Sequence, residues 1–248
     1  MNYISRIIYK TYFINKIMQS PAVVTEDLGK IFEKGICGAY GIPYIGKYKY
    51  SEEQADAFAK RLQILPSLFP DCVHTAEKGS QYDFTAADNN QLHLSAKTNK
   101  KGYKICPQKI GQPTKQKFCE YFEIDTNSTN DDIKQYIMVN LKSMLSHYFN
   151  FTFDSPIVYY NQHTDKIVYI NTLSSIEWEP VAFRFSHMQN NTQWNESTTV
   201  SMVQGDKCYS VAEFQIHNNR NGVKFRWNLA ALLKYFPQHF DVVQLSEK

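Results

Sequence analysis

Asp83, Ser95 and Lys97 are residues whose types and spacing could do chemistry together. Tyr82 to Ala87 and Leu92 to Thr98 have strand-like composition, and Asp88-Asn89-Asn90-Gln91 between them reads as a turn, so the segment predicts a β-hairpin. Side chains alternate faces along a strand, which puts Ser95 and Lys97 on one face and Leu94 and Ala96 on the other. A hairpin can bring Asp83 across from Ser95 and Lys97. An acid, a second oxygen and a lysine at a sheet edge suit metal-assisted hydrolysis of a phosphodiester. The acid holds Mg²⁺, the metal polarises the phosphate, and the lysine orients or deprotonates the attacking water. From spacing alone a surface hairpin with an incidental acid and lysine is the commoner case, since an acid followed later by SxK is common.

Two further features favour the chemical reading. Seven lysines (Lys97, Lys100, Lys101, Lys104, Lys109, Lys115 and Lys117) fall in a stretch with no acid, with Tyr103, Gln108, Gln112 and Phe118 among or beside them. The run begins at the candidate catalytic lysine, where a polyanion would have to lie. The second feature is Gln215 to Arg226, which reads as a strand, a turn around Asn221-Gly222 and another strand. No acid occurs between Glu213 and Asp241. Gln, Asn, Arg and Lys make contacts to base edges in the major groove, although a polar hairpin tip would have the same composition. Candidate DNA contacts are therefore Lys100, Lys101, Lys104 and Gln108 from the lysine run, with Gln215, Asn219, Arg220, Lys224 and Arg226 from the later hairpin.

The elements that would position these residues are legible as patterns. Residues 1–22 form a lead-in ending at Pro21. Thr25, followed by Glu26 and Asp27, reads as an N-cap, and Leu28, Ile31, Phe32, Gly35, Ile36 and Ala39 recur at helical spacing to about Tyr40. Gly29, Gly35 and Gly38 lower the helix propensity there, which suggests close packing on another element. A second helix is predicted from Ser51 to near Pro66. A third, capped by Asn130, carries one apolar face from Ile133 through Ile137, Leu141, Met144 and Leu145 to Tyr148. β-type runs follow at Ile157 to Tyr160, Lys166 to Ile170, Val181 to Phe185, Val211 to Ile216 and Val223 to Trp227. Asn228 then caps a last short helix. The order predicts a mixed α/β chain, 1–248, folding as one domain. Its functional halves would be catalytic (1–122) and DNA-recognising (123–248).

Composition narrows the classes. The 248 residues carry 27 basic and 24 acidic side chains, a formal charge of +3, and 43% are hydrophobic, which excludes a disordered or strongly basic tail protein. Mean hydropathy is −0.46 and no apolar run is long enough to span a bilayer. Five widely spaced cysteines show no zinc or redox spacing, and the lead-in lacks the apolar core of a signal peptide, so reduced thiols in the cytoplasm are expected.

The segment TEDLGKIFEKGICGAYG resembles the helix preceding the catalytic hairpin of MspI-type restriction endonucleases. GSQYDFTAADNNQLHLSAKTNKKGYKI resembles their metal-binding hairpin, a variant of the PD-(D/E)xK nuclease pattern. The likeness covers about residues 23–40 and 80–105. It implies a restriction-endonuclease-like core, a mixed central sheet flanked by helices, with additional C-terminal strands. It implies that Asp83 binds the metal, Lys97 is catalytic, Ala96 offers its carbonyl, and Glu33 from the first helix supplies a further carboxylate. Ser95 stands where most relatives have Glu, which removes one negative ligand, and Tyr82 stands in place of the usual proline.

Gly41-Ile42-Pro43 and Tyr44-Ile45-Gly46 superficially suggest a GIY-YIG nuclease, but here the triplets are contiguous rather than on separate strands. The seven histidines form neither an HExxH nor an HNH-like cluster, so each is read as structural or surface. The expectation is a type II restriction endonuclease-like, Mg²⁺-dependent hydrolase of double-stranded DNA. It would act as a monomer or homodimer, away from membranes, in a host with a companion methyltransferase that it does not bind. The alternative is a non-catalytic DNA- or RNA-binding module using the same basic surface, which would bind with or without Mg²⁺ and cut nothing.

Overall fold

The computed structural model describes residues 25–76 and 80–246, so the lead-in expected over 1–22 lies outside the described residues. Helix α1 (Thr25–Tyr40) and helix α2 (Glu52–Arg61) come first, and a 3₁₀ turn at Leu65–Ser67 follows. Two of the three glycines of α1, Gly35 and Gly38, make the close approach their propensity cost suggested, and Gly29 does not. A Cβ on Gly35 would sit 2.4 Å from the Phe58 Cβ, and one on Gly38 would sit 2.9 Å from the Ala59 Cβ, so α2 lies directly on α1. The second helix ends earlier than expected, at Arg61, because Pro66 sits inside the 3₁₀ turn.

The first sheet has the strand order β1 (Cys72–His74), β2 (Phe84–Ala86), β3 (His93–Asn99), β5 (Ile157–Asn161), β6 (Lys166–Thr172) and β11 (Phe240–Ser246). Only β3 and β5 run parallel, so the sheet is mixed. Val158, Tyr160, Ile167 and Tyr169 pack against α1 and α2 on one face, while Ile157, Tyr159 and Ile170 face the second core. Burial on both sides explains why β5 is apolar without alternation.

The second sheet has the order β4 (Lys104–Ile105), β10 (Val223–Asn228), β9 (Lys207–Ile216), β8 (Ser197–Gln204) and β7 (Phe183–Phe185). Between the sheets in sequence lie α3 (Lys115–Tyr121), α4 (Asn130–Val139) and α5 (Leu141–Thr152). The short α6 (Ser186–Gln189) follows β7, and α7 (Leu229–Tyr235) follows β10. Tyr148 of α5 stacks on Phe225 with ring centroids 3.8 Å apart, and the Trp227 Nε1 donates to Thr152 Oγ1 at 3.1 Å, so α5 covers the inner face of this sheet.

The expected single helix after residue 129 is two. Thr129, rather than Asn130, is the cap, in a reciprocal capping box with Asp132, and the helix breaks at Asn140, whose side chain donates to the Tyr136 carbonyl. The apolar face survives the break, with Ile133, Ile137, Leu141, Met144, Leu145 and Tyr148 all buried. Strands β1, β4, β8 and β11 escaped the sequence reading. The sheets also interleave along the chain, since β4 joins the later sheet and β11 the earlier one. Among the described residues no helix is long and apolar enough to cross a membrane, and the five cysteines are unpaired.

Candidate functional site

The site lies where β3 changes partners. Phe84 pairs with Leu94 and Thr85 with His93, a register that, carried one residue on, sets Asp83 opposite Ser95. From Ser95 onward β3 pairs with β5 instead, leaving its other edge uncovered. The N–H of Ala96, freed from the ladder on that side, donates to Asp83 Oδ2 at 2.7 Å. Lys97 Nζ lies 3.8 Å from the same oxygen, and both side chains are largely buried. The hairpin thus brings Asp83 and Lys97 together. Ser95 is buried and lines a narrow cleft with Lys97, Gln108 and Asp154.

Gln108, expected on the DNA surface, instead turns its amide to Asp83, donating to Oδ1 at 3.2 Å. Its own Oε1 is buried without a partner. Glu33 projects from α1 toward the same cluster. Burial raises its pKa above the ordinary carboxyl value, the nearby charge of Asp83 raises it further, and His74 and Lys97 only partly oppose this. Two carboxylates therefore share a desolvated corner in which the negative charge is incompletely balanced.

His74 was missed by the sequence reading. It is 1% exposed, stacked on Tyr44, and its Nδ1 accepts the Ile45 N–H at 2.9 Å. That bond places the ring proton of the neutral imidazole on Nε2, which lies 3.5 Å from Glu33 Oε2. His74 ends a strand of only three residues, too short to show a period, and nothing in the sequence links residue 74 to residue 33.

Lys97 also lines a second cleft, with a volume of about 1030 Å³, together with Lys100, Lys101, Lys104, Lys224 and Arg226 among others. Two distant basic segments thus meet on one surface. Lys104 and Arg226 do not stand there as free cations, since both bind the buried carboxylate of Glu213, Arg226 Nη2 at 2.9 and 3.0 Å from its two oxygens. Burial pushes Glu213 up, but Lys104, Gln215 and Arg226 more than offset it and hold its pKa below the ordinary range. Gln215 also donates to Glu213. Asn219 and Arg220 lie on the exposed turn between β9 and β10.

Among the described residues no three His, Cys, Asp or Glu side chains form a metal-binding cluster. The donors in this part of the molecule are hard oxygens: Asp83, Glu33 close enough to feel its charge, and the buried, unpartnered Oε1 of Gln108. They suit a cation that takes one or two carboxylates and keeps its waters, and they do not suit tetrahedral zinc.

The fold, a mixed sheet flanked by helices with further C-terminal strands, is compatible with a restriction-endonuclease-like core, and the chain is similar in sequence to a type II restriction enzyme. That relative is CviAII of Paramecium bursaria Chlorella virus 1, 44% identical over 224 residues. The match takes in 90% of this chain and 64% of the relative, so the chain spans just under two thirds of its length. No family model and no solved structure matches the chain.

Proposed function

We propose that the protein is a type II restriction endonuclease-like enzyme of the MspI-type, PD-(D/E)xK kind, hydrolysing phosphodiester bonds of double-stranded DNA at a short specific site. The observation that carries this is the pairing of Asp83 with Lys97 at the mouth of a lysine-lined cleft. The name of its viral relative agrees with it.

The backbone of the DNA would lie along Lys100 and Lys101, whose charge attracts phosphate without regard to sequence. Asp83 and Glu33 would hold Mg²⁺, with the Ala96 carbonyl as a further oxygen, and Ser95 beside them. When bound, the ion supplies Lewis-acid polarisation of the scissile phosphate and lowers the pKa of water. Asp83 is held in place by the Ala96 N–H and the Gln108 amide, so it meets its partner preorganised. Lys97 positions the attacking water and stabilises developing charge on the phosphate. Gln108 Oε1 is placed to accept a hydrogen bond from a water in this corner.

Incubation with unmethylated phage DNA and Mg²⁺ tests the reading. Discrete bands that vanish with EDTA are expected. A smear would indicate a nonspecific nuclease, and intact DNA that is nevertheless bound, with or without Mg²⁺, would establish the non-catalytic binding module instead.

A further inference from the structure

The outer face of the second sheet carries an arrangement that phosphate binding does not require. β10 sets Lys224 opposite Gln215 and Arg226 opposite Glu213, while β8 sets Ser197 opposite Gln215 and Thr199 opposite Glu213. Alternate residues Val223, Phe225 and Trp227 enter the core, so Lys224 and Arg226 lie on the other face. Two polar rows, Lys224–Gln215–Ser197 and Arg226–Glu213–Thr199, therefore cross the sheet beside the cleft that holds Lys97.

Glu213 is 7% exposed, and a carboxylate that buried is costly unless its partners are well placed. Here both oxygens receive Arg226 Nη2, leaving Nη1 with no bond in the described protein and Nε buried without a partner. A phosphate clamp gains nothing from a carboxylate that cancels one of its charges. A base reader does gain, because discrimination depends on a guanidinium held in one plane with its open donors, here those of Nη1, presented to a base edge.

We infer that Glu213 is a positioning residue for Arg226, fixing it to read the O6/N7 edge of one guanine in the major groove, and so determines specificity at one G·C pair. This rests on the DNA-cleaving reading above.

The test uses the full chain, the site mapped from a wild-type digest, and duplexes in which each guanine of that site is replaced in turn by 7-deazaguanine, which lacks the N7 acceptor. Wild type is expected to bind about tenfold more weakly when one particular guanine is replaced. Glu213→Gln should lose that sensitivity at that guanine alone while keeping it at any other guanine that is read. Arg226→Lys, which keeps the charge but not the fork, should do the same, and it decides the matter if circular dichroism shows that Glu213→Gln does not fold. The inference is overturned if wild type is indifferent to every replacement. It is overturned equally if both variants weaken all duplexes by one common factor with discrimination intact, as loss of a phosphate contact would. A wild-type chain that neither binds nor cuts any duplex would overturn the DNA-cleaving reading itself, and this inference with it.

Discussion

Glu33 and Glu213 are both carboxylates drawn into the protein beside a basic cleft, yet they are shifted in opposite directions. At Glu33, burial and the charge of Asp83 outweigh His74 and Lys97, so the proton is held more tightly than usual. At Glu213, Lys104, Gln215 and Arg226 outweigh burial, so the proton is held less tightly. The Glu213 carboxylate is matched by Lys104 and Arg226. Glu33 has no such match, since His74 and Lys97 only partly oppose its shift. The comparison separates a carboxylate left short of counter-charge from one matched by the protein's own cations.

The largest expected effect lies in the first region. Lys97→Ala should still bind DNA but cleave it at least about a hundredfold more slowly, since it removes a positioned charge without removing the carboxylates. Asp83→Ala should abolish cleavage, with added Mg²⁺ restoring little. Single-turnover cleavage beside a binding titration measures both, and equal cleavage by wild type and both variants would remove the hairpin from the chemistry.

Thermal unfolding in EDTA sharpens the comparison further. A carboxyl with a raised folded-state pKa contributes stability below its ordinary value near 4.5, and that contribution is lost as pH rises through the raised value. Glu33→Gln, which cannot ionise, should therefore melt higher than wild type near neutral pH while losing cleavage. A carboxyl with a lowered pKa contributes above the ordinary value and loses its contribution as pH falls through the lowered one. Glu213→Gln should accordingly melt lower than wild type near neutral pH, with the gap closing in acid. The same sign for both variants would break the distinction drawn here.

Smaller effects follow on the cleft wall and in the cleft. Lys100→Ala and Lys101→Ala should each weaken binding to all sequences alike and reduce the steepness of log affinity against log salt by about one. A sequence-selective loss at either would move base reading out of the second sheet. Ser95→Ala should cost least, within about tenfold in cleavage rate, because the serine adds no charge to the pair beside it.

Much of the frame was legible because it depends on local periodicity. The bounds of α1, the hairpin around residues 88–91 and the cap at Asn228 all follow from side chains within a few residues of each other, whereas the glycines of α1 signalled close packing without naming its partner. Strand β8 buries Thr198 and Val200 in alternation, but in the sequence its serines and threonines dilute the hydrophobic signal, and a bulge after Val200 shifts the register. Asn140 was a local cue to the helix break, since asparagine favours caps, but the unbroken apolar spacing from Ile133 to Tyr148 outweighed it.

The sequence by itself determined that Asp83 and Lys97 would meet, because a short hairpin leaves few registers and a strand has only two faces. It also determined that lysines would be dense beside them. Only the tertiary structure decided which charges remain available. Glu213 reaches Lys104 from 109 residues away, Gln108 turns inward to Asp83, and His74 comes to Glu33 across two different elements. Such pairings are set by how two sheets and their helices pack, and the Coulomb interaction depends on distance through space and on burial, neither of which is written in the spacing of residues along the chain.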